Sequence, residues 1–247
     1  MSDEHGVIRA VVCLPTYNER ENLEPMIQAL GGVLDTSRDR VLIVDDASPD
    51  GTGAIADRLA SELPWVGVLH RERKQGIGPA YVAGFRRALG EGAELVLEMD
   101  CDFSHDPADV PRLIAAAEAG ADLVLGSRYA PGGGTRNWGV LRRIVSRGGC
   151  LYAQVILGMR VRDLTGGFKC FRRATLEAID LGALSAHGYA FQIETTYRVR
   201  RAGLRVEEVP ITFVERRAGA SKMTGSIVVE AVWKVPLLRL RALAGRL

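Results

Sequence analysis

In the first half of the chain, short apolar runs alternate with stretches of helical period. The runs VIRAVVCLP (7–15), RVLIVDDAS (40–48), WVGVLHR (65–71), ELVLEMD (94–100) and ADLVLGSRY (121–129) are rich in Val, Leu and Ile and too short for helices. They predict buried strands. Between them, ERENLEPMIQALGGVL (19–34), TGAIADRLASEL (52–63), GPAYVAGFRRALGEG (78–92) and PADVPRLIAAAEAG (107–120) place apolar residues at helical spacing. Such alternation argues for an α/β protein, with a mostly parallel central sheet flanked by helices and right-handed crossovers. Asp50-Gly51-Thr52 and Asp106-Pro107 mark helix starts, because a side-chain oxygen caps free N–H groups and proline suits the first turn.

After about residue 130 the pattern changes. APGGGTRNWG (130–139) reads as a loop, and VLRRIVSRGGCLYAQVILG (140–158) as a helix weakened at Gly148-Gly149. LTGGFKCFRR (164–173) reads as extended, YAFQIETTYRVRRAG (189–203) as a helix, and RVEEVPITFVERR (205–217) as one alternating strand. The tail SIVVEAVWKVPLLRLRALAGRL is amphipathic, with a kink expected at Pro236. With no internal repeat and no disordered linker, residues 1–225 are expected to form one domain and residues 226–247 a C-terminal amphipathic helical segment.

Length and composition narrow the class only a little. The 247 residues suffice for a real core, and a net charge of +2 carries no overall signal for a nucleic-acid partner. Cys13, Cys101, Cys150 and Cys170 form no CxxC pair and read as reduced, buried thiols. The acidic start is unlike a signal peptide, and no window approaches the ~20 apolar residues of a membrane span. A soluble or membrane-surface protein is expected.

The chemistry gathers at strand ends, where open parallel sheets bind ligands. LVLEMDCDFSHDP (95–107) passes from an apolar run into Asp100, Asp102, His105 and Asp106. Like charges disfavour each other's ionisation, so such a cluster asks for a cation. On an extended segment Asp100 and Asp102 point to one side and suit Mg²⁺ or Mn²⁺ shared with substrate phosphates. Helix capping is the plainer role for a carboxylate here, and it fits Asp106 best. Asp45 and Asp46 end the second strand, placed for a nucleoside or in support of the metal; Asp50 to Thr52 read as turn and cap. GIGPAYVAG lacks the third glycine and the leading strand of a dinucleotide fingerprint, and PGGGT lacks the lysine of a P-loop. The histidines form no zinc set. Cations come late: Arg128 at a strand end, then Arg142, Arg143, Arg147 and Lys169, then Arg216, Arg217 and Lys222. A strand end and a glycine-containing loop suit phosphate better than a helix face does.

Taken together, LPTYNERENL, VDDASPDGT, MDCDFSHDP, GSRY, SRGG, DLTGGFKCF, GYAFQIE and ERRAGASK resemble, in their order, the dolichol-phosphate and polyprenol-phosphate mannose synthases. These are family 2 glycosyltransferases of GT-A fold. The resemblance runs from residue 8 to about 235. It implies inverting transfer of mannose from GDP-mannose to a polyprenyl or dolichyl phosphate lipid, with Mg²⁺ or Mn²⁺. By position, Pro15, Tyr17, Glu19, Val44 and Asp46 would hold the nucleoside. Asp100, Asp102 and Ser104 would hold the metal, with Cys101 lending backbone to the donor site. Arg128, Arg216 and Lys222 would meet phosphates and, with Asp102, carry catalysis. Cys101 stands where relatives have alanine, a departure of little expected consequence.

A lipid phosphate acceptor is already anionic and needs no general base, whereas a hydroxyl acceptor would need one in reach. Glu194 of FQIE is the obvious candidate base and is read as positional. Ten apolar residues among Lys234, Arg239 and Arg241 in 226–243 suit an interfacial helix. The expected place of action is therefore cytoplasmic, peripheral at the cytoplasmic face of a membrane, with a membrane-protein partner left open. UDP-glucose as donor, and a non-catalytic subunit that binds nucleotide sugar, are the competing readings.

Overall fold

The structure, a computed structural model, describes residues 7–184, 188–215, 225–245 and 247, without the side chains of 188, 189 and 225–231. The five expected strands form as β1 (Ala10–Thr16), β2 (Asp39–Asp45), β3 (Val66–His70), β4 (Leu95–Glu98) and β5 (Leu123–Ser127). Between them run α1 (Leu23–Gly31), α2 (Thr52–Glu62), α3 (Ile77–Gly90) and α4 (Val110–Glu118). A short strand β6 (Gly134–Arg136) and the helix α5 (Val140–Leu157) follow. Then come β7 (Lys169–Arg172), α6 (Arg173–Ala178), α7 (Gly188–Arg201), β8 (Val206–Pro210), β9 (Thr212–Val214) and α8 (Gly225–Leu243).

Seven strands lie in the order β3-β2-β1-β4-β7-β5-β8. All neighbours are parallel except β7, which is antiparallel to both β4 and β5. Register brings the carboxyl ends together: Thr16 pairs with Asp45, and Cys13 with Glu98. One apolar layer packs α1 and α4 against the sheet through Leu23, Met26, Leu113 and Ile114. The other packs α3, α7 and α8 through Tyr81, Phe85, Phe191 and Leu238. Burying each such large side chain stabilises the fold by about 1.5–3 kcal/mol. With strands covered on both faces, loops at the carboxyl edge are left to carry chemistry.

One local expectation is corrected. RVEEVPITFV is not one strand: Pro210, which has no N–H, ends β8, and the chain crosses to β9, which pairs with β6 in a separate two-stranded sheet. Within the glycine-rich loop 130–139, Gly134–Arg136 therefore pair in a sheet. α5 runs unbroken through Gly148-Gly149, its buried side anchored by Cys150, Ala153 and Leu157. Pro236 lies within the continuous helix α8. Among the described residues, no helix is long and apolar enough to cross a membrane.

Candidate active site

The acid loop begins where β4 stops. Glu98 is the last paired residue, and Phe103 takes a left-handed φ of 59°. The segment is thus a turn rather than an extended strand, so simple alternation does not explain the Asp100–Asp102 pair. The turn is held by its own polar groups: Asp102 Oδ1 accepts from the Ser104 N–H at 3.0 Å, and Asp100 N–H donates to His105 Nδ1 at 3.5 Å. His105 is buried between Phe168 and Phe213, its ring centroid 5.0 and 5.1 Å from theirs. Burial lowers its pKa to about 4, so the imidazole is neutral and can accept that hydrogen bond. Asp106 caps the following turn, accepting from Ala108 N–H at 2.9 Å.

Asp100 is half-buried and Asp102 is buried. The buried Ser104 hydroxyl has no hydrogen-bond partner among the described residues. Two carboxylates and an orphaned hydroxyl fit a hard divalent cation. No group of three or more His, Cys, Asp or Glu among the described residues is arranged to hold a metal. A cation here would therefore share its coordination with substrate oxygens and water, as Mg²⁺ commonly does.

The ends of β1 and β2 form one wall. Pro15 pairs with Val44, and Asp46 N–H donates to Thr16 O at 3.0 Å. The loops beyond are stitched together: Glu19 N–H donates to Thr52 Oγ1 at 3.0 Å, and Arg20 N–H to Asp50 Oδ2 at 3.3 Å. Asp50 also accepts from Thr52 N–H and Oγ1, the expected turn role. Tyr17 lies under the Lys74 ammonium, 3.8 Å from ring centroid to nitrogen. Glu19 accepts from Asn22 Nδ2 at 2.8 Å. Asp46 is buried and ion-paired with Arg71, yet burial outweighs the cation and raises its pKa. The Val44 side chain is wholly buried against Gly84. Cys101 is buried in the α1–α4 layer.

The second wall starts at the end of β5. Arg128 is buried, and Asp163 grips it by Nε at 2.7 Å, Nη2 at 2.6 Å and its backbone N–H at 2.9 Å. Nη2 also donates to Thr165 Oγ1 at 2.8 Å. The adjacent cation pulls the Asp163 carboxyl down despite its burial. The Asp163 loop is held in turn by Glu208 of β8, which accepts from Asp163 N–H and Ser127 Oγ. Arg128 is therefore not the free strand-end cation that the sequence suggests; what remains to face a phosphate is its Nη1 edge. Around it stand Tyr129, Trp138 and Phe213, each ring centroid within 5.5 Å of the guanidinium carbon. Arg142 lies 4.2 Å over Trp138 and pairs with Glu215. Trp138 Nε1 and Arg142 Nε are buried donors without a partner among the described residues. Phe213 links the walls, contacting both His105 and Trp138 edge-on at 5.1 Å.

Arg216 and Lys222 lie outside the described residues. Glu194 faces away from the acid loop: it pairs with Arg198 at 2.8 Å and lines a groove against α8 with Lys234 and Arg241. Gln192, two residues earlier on α7, faces the sheet instead. Its side chain interacts with Glu98, with Nε2 close to Gly167, and its main-chain carbonyl accepts from Lys169 Nζ at 2.9 Å. Lys169 is fully buried opposite Glu98 in the β4–β7 register. Burial pushes Glu98 up to about 7 against the pull of Lys169, and pushes Lys169 down to about 8 against the pull of Glu98. Sequence reasoning missed Asp163, Trp138 and Tyr81 as site residues. Asp163 was in view only as the first letter of DLTGGFK.

The acid loop after β4 and the cationic, aromatic group around Arg128 meet through Phe213, which contacts both His105 and Trp138. Over residues 11–180 the chain matches the family described as Glycosyl transferase family 2. The chain belongs to that family. It groups with the polyprenyl-phosphate mannose synthases. Undecaprenyl-phosphate mannosyltransferase of Micrococcus luteus is 50% identical over 228 residues, 92% of this chain and 93% of the relative. Polyprenol monophosphomannose synthase of Mycolicibacterium smegmatis is 49% identical over 92% of this chain and 85% of its own length. Among solved structures, glucosyl-3-phosphoglycerate synthase of Mycobacterium tuberculosis in complex with UDP superposes with a TM-score of 0.69. At 21% identity over 94% of this chain and 80% of that one, it supports the GT-A fold of this glycosyltransferase. The same enzyme with Mn²⁺, UDP and glucosyl-3-phosphoglycerate gives a TM-score of 0.68 at 21% identity, over 96% of this chain and 80% of that one.

Proposed function

We propose that this glycosyltransferase moves mannose, with inversion, from GDP-mannose to a polyprenyl monophosphate at the cytoplasmic face of a membrane. The observation that carries the reading is a pair of buried donors without a partner among the described residues, Trp138 Nε1 and Arg142 Nε, at the Trp138 ring that Arg128 also approaches. Buried donors without partners are costly and are kept where a ligand satisfies them. Their chemistry fits an anionic acceptor oxygen. Such an acceptor attacks without a base, which agrees with Glu194 being tied to Arg198 on the far side of α7.

Asp100, Asp102 and Ser104 would hold Mg²⁺ or Mn²⁺, whose charge would stabilise the departing nucleoside diphosphate. Pro15, Tyr17, Glu19 and Asp46 would orient the nucleoside, with Cys101 lending backbone. Arg128, fixed by Asp163, would present its remaining edge without reorganisation, which is what makes fixed charges effective. Arg216 and Lys222, outside the described residues, would add further cations.

Membrane docking draws support from two helices. α5 exposes Leu141 (75%), Ile144, Leu151 and Val155 along one stripe, and α8 exposes Trp233 (74%), Leu237 and Leu240. The helices are joined by Tyr152 OH donating to Val232 O at 2.8 Å. Exposed apolar residues on both helices, with exposed Arg143, Arg147 and Arg241 on the same helices, suit an anionic bilayer. Transfer of radiolabelled sugar from GDP-mannose into an extractable polyprenyl phosphate tests the reading. Label is expected with Mg²⁺ or Mn²⁺ and not with EDTA or in Asp102→Asn. Label from UDP-glucose alone would change the donor, and none from either would leave a binding-only role.

A further inference from the structure

Two adjacent carboxylates in β8 are sent to opposite sides of the strand by its alternation. Glu207 pairs at the surface with Arg205 at 2.8 Å, its side chain 39% exposed. The Glu208 side chain is 10% exposed and meets three donors on two other segments. Its Oε1 accepts from Ser127 Oγ at 2.8 Å and from Asp163 N–H at 3.0 Å. Its Oε2 accepts from Arg162 N–H at 3.0 Å. Ser127 immediately precedes Arg128. Its Oγ in turn accepts from Tyr129 N–H at 3.3 Å and Ala130 N–H at 3.0 Å, which shapes the turn that carries Arg128. Asp163 grips the guanidinium itself. Both sides of the buried pair are thus tied to a single carboxylate. Three donors suit a carboxylate; an amide has one acceptor oxygen and would turn its NH₂ toward a donor.

We propose that Glu208 is a positioning residue for Arg128: by holding Ser127 and Asp163 at once, it fixes where the guanidinium stands. The inference rests on the reading that Arg128 meets a substrate phosphate. Fixed charges are effective because they need no reorganisation as charge develops, and a misplacement of about 1 Å can cost about 100-fold in rate. Glu208 acts through its two neighbours, from an edge strand that a search of carboxyl ends would pass over.

The test is Glu208→Gln, which keeps the volume and leaves one acceptor oxygen. The Arg128 Nε–H, identified in ¹⁵N-labelled protein by its loss in Arg128→Lys, is followed by NMR for exchange with water. Exchange is expected to quicken about 10-fold in Glu208→Gln, with the backbone amides of β1 and β2 unchanged. Arg162→Ala is the control. That guanidinium is 57% exposed and 3.6 Å from Glu208, and its removal leaves the backbone N–H in place, so Arg128 exchange should match wild type. In transfer from GDP-mannose, Glu208→Gln should lower kcat about 10-fold, with KM for GDP-mannose near wild type. In an Arg128→Lys background it should lower kcat no further. Unchanged Arg128 exchange would overturn the inference. So would quickened exchange throughout the β1 and β2 amides, which would mean general loosening, or losses in kcat that multiply with those of Arg128→Lys. If wild type transfers no sugar from GDP-mannose or UDP-glucose, the functional reading falls by itself, and Arg128 exchange still decides whether Glu208 holds the guanidinium.

Discussion

Two aspartate–arginine pairs stand on opposite walls of the site and differ in kind. Arg128 and Asp163 are 5% and 0% exposed, joined by two side-chain bonds, a backbone N–H and a flanking threonine. Arg71 and Asp46 are 12% and 7% exposed, and Arg71 leans partly on Gln75 across the rim. A charge in the enclosed pair has no water to fall back on, so its partner is part of the fold. At the rim, water or a ligand can replace either partner. The enclosed pair is therefore a fixed electrostatic wall, whereas under the proposed function the Arg71–Asp46 pair is a contact that a nucleoside would exchange for its own hydrogen bonds.

The comparison breaks most directly at Asp163. Asp163→Ala leaves Arg128 buried and unpaired, and is expected to cost about 3–5 kcal/mol. Denaturant unfolding measures it, and a variant as stable as wild type would put the two pairs in one class. Next in size is a buried pair that sits between the walls. Glu98 has a folded pKa of about 7 against an ordinary 4.5, so the folded state binds its proton more tightly than the unfolded chain does. Its ionisation thus removes stability as pH rises from about 4.5 to 7. Glu98→Gln should match wild type near pH 5 and exceed it near pH 8 by roughly 3 kcal/mol or less. A parallel pH profile for the two proteins would refute this. Smallest in stability is Asp46→Asn. It should change unfolding free energy by less than about 1 kcal/mol, while nucleotide affinity, read by calorimetry, falls about 10-fold. A large stability loss there would make the rim pair structural as well.

Much of this site was legible because strands in a covered parallel sheet announce their ends. An apolar run that stops in Asp100 and Asp102, or in Asp45 and Asp46, marks the carboxyl edge where ligands bind. Arg128 was legible on the same ground. Its partner was not: Asp163 lies 35 residues on, in a loop whose placement depends on β7 and β8. The FQIE motif shows the same limit. Gln192 and Glu194 look equivalent in sequence, but the helical period turns one to Glu98 in the sheet and the other to α8. Tyr81 sits in a helical pattern where an aromatic reads as core. It is core, and only the neighbouring chain end reveals that its hydroxyl meets Asp100.

By itself, the sequence determined the strand and helix alternation, the acids at the strand ends and, through its ordered motifs, the glycosyltransferase family. Those features are local: periodicity, capping and short motifs need only neighbours along the chain. Tertiary structure decided the reversed β7, the split of RVEEVPITFV between two sheets, the capture of Arg128 by Asp163 and the contact of Tyr81 with Asp100. Each depends on residues distant in sequence meeting in a low-dielectric interior, where one misplaced partner costs several kcal/mol and the packing of the whole sheet selects who meets whom.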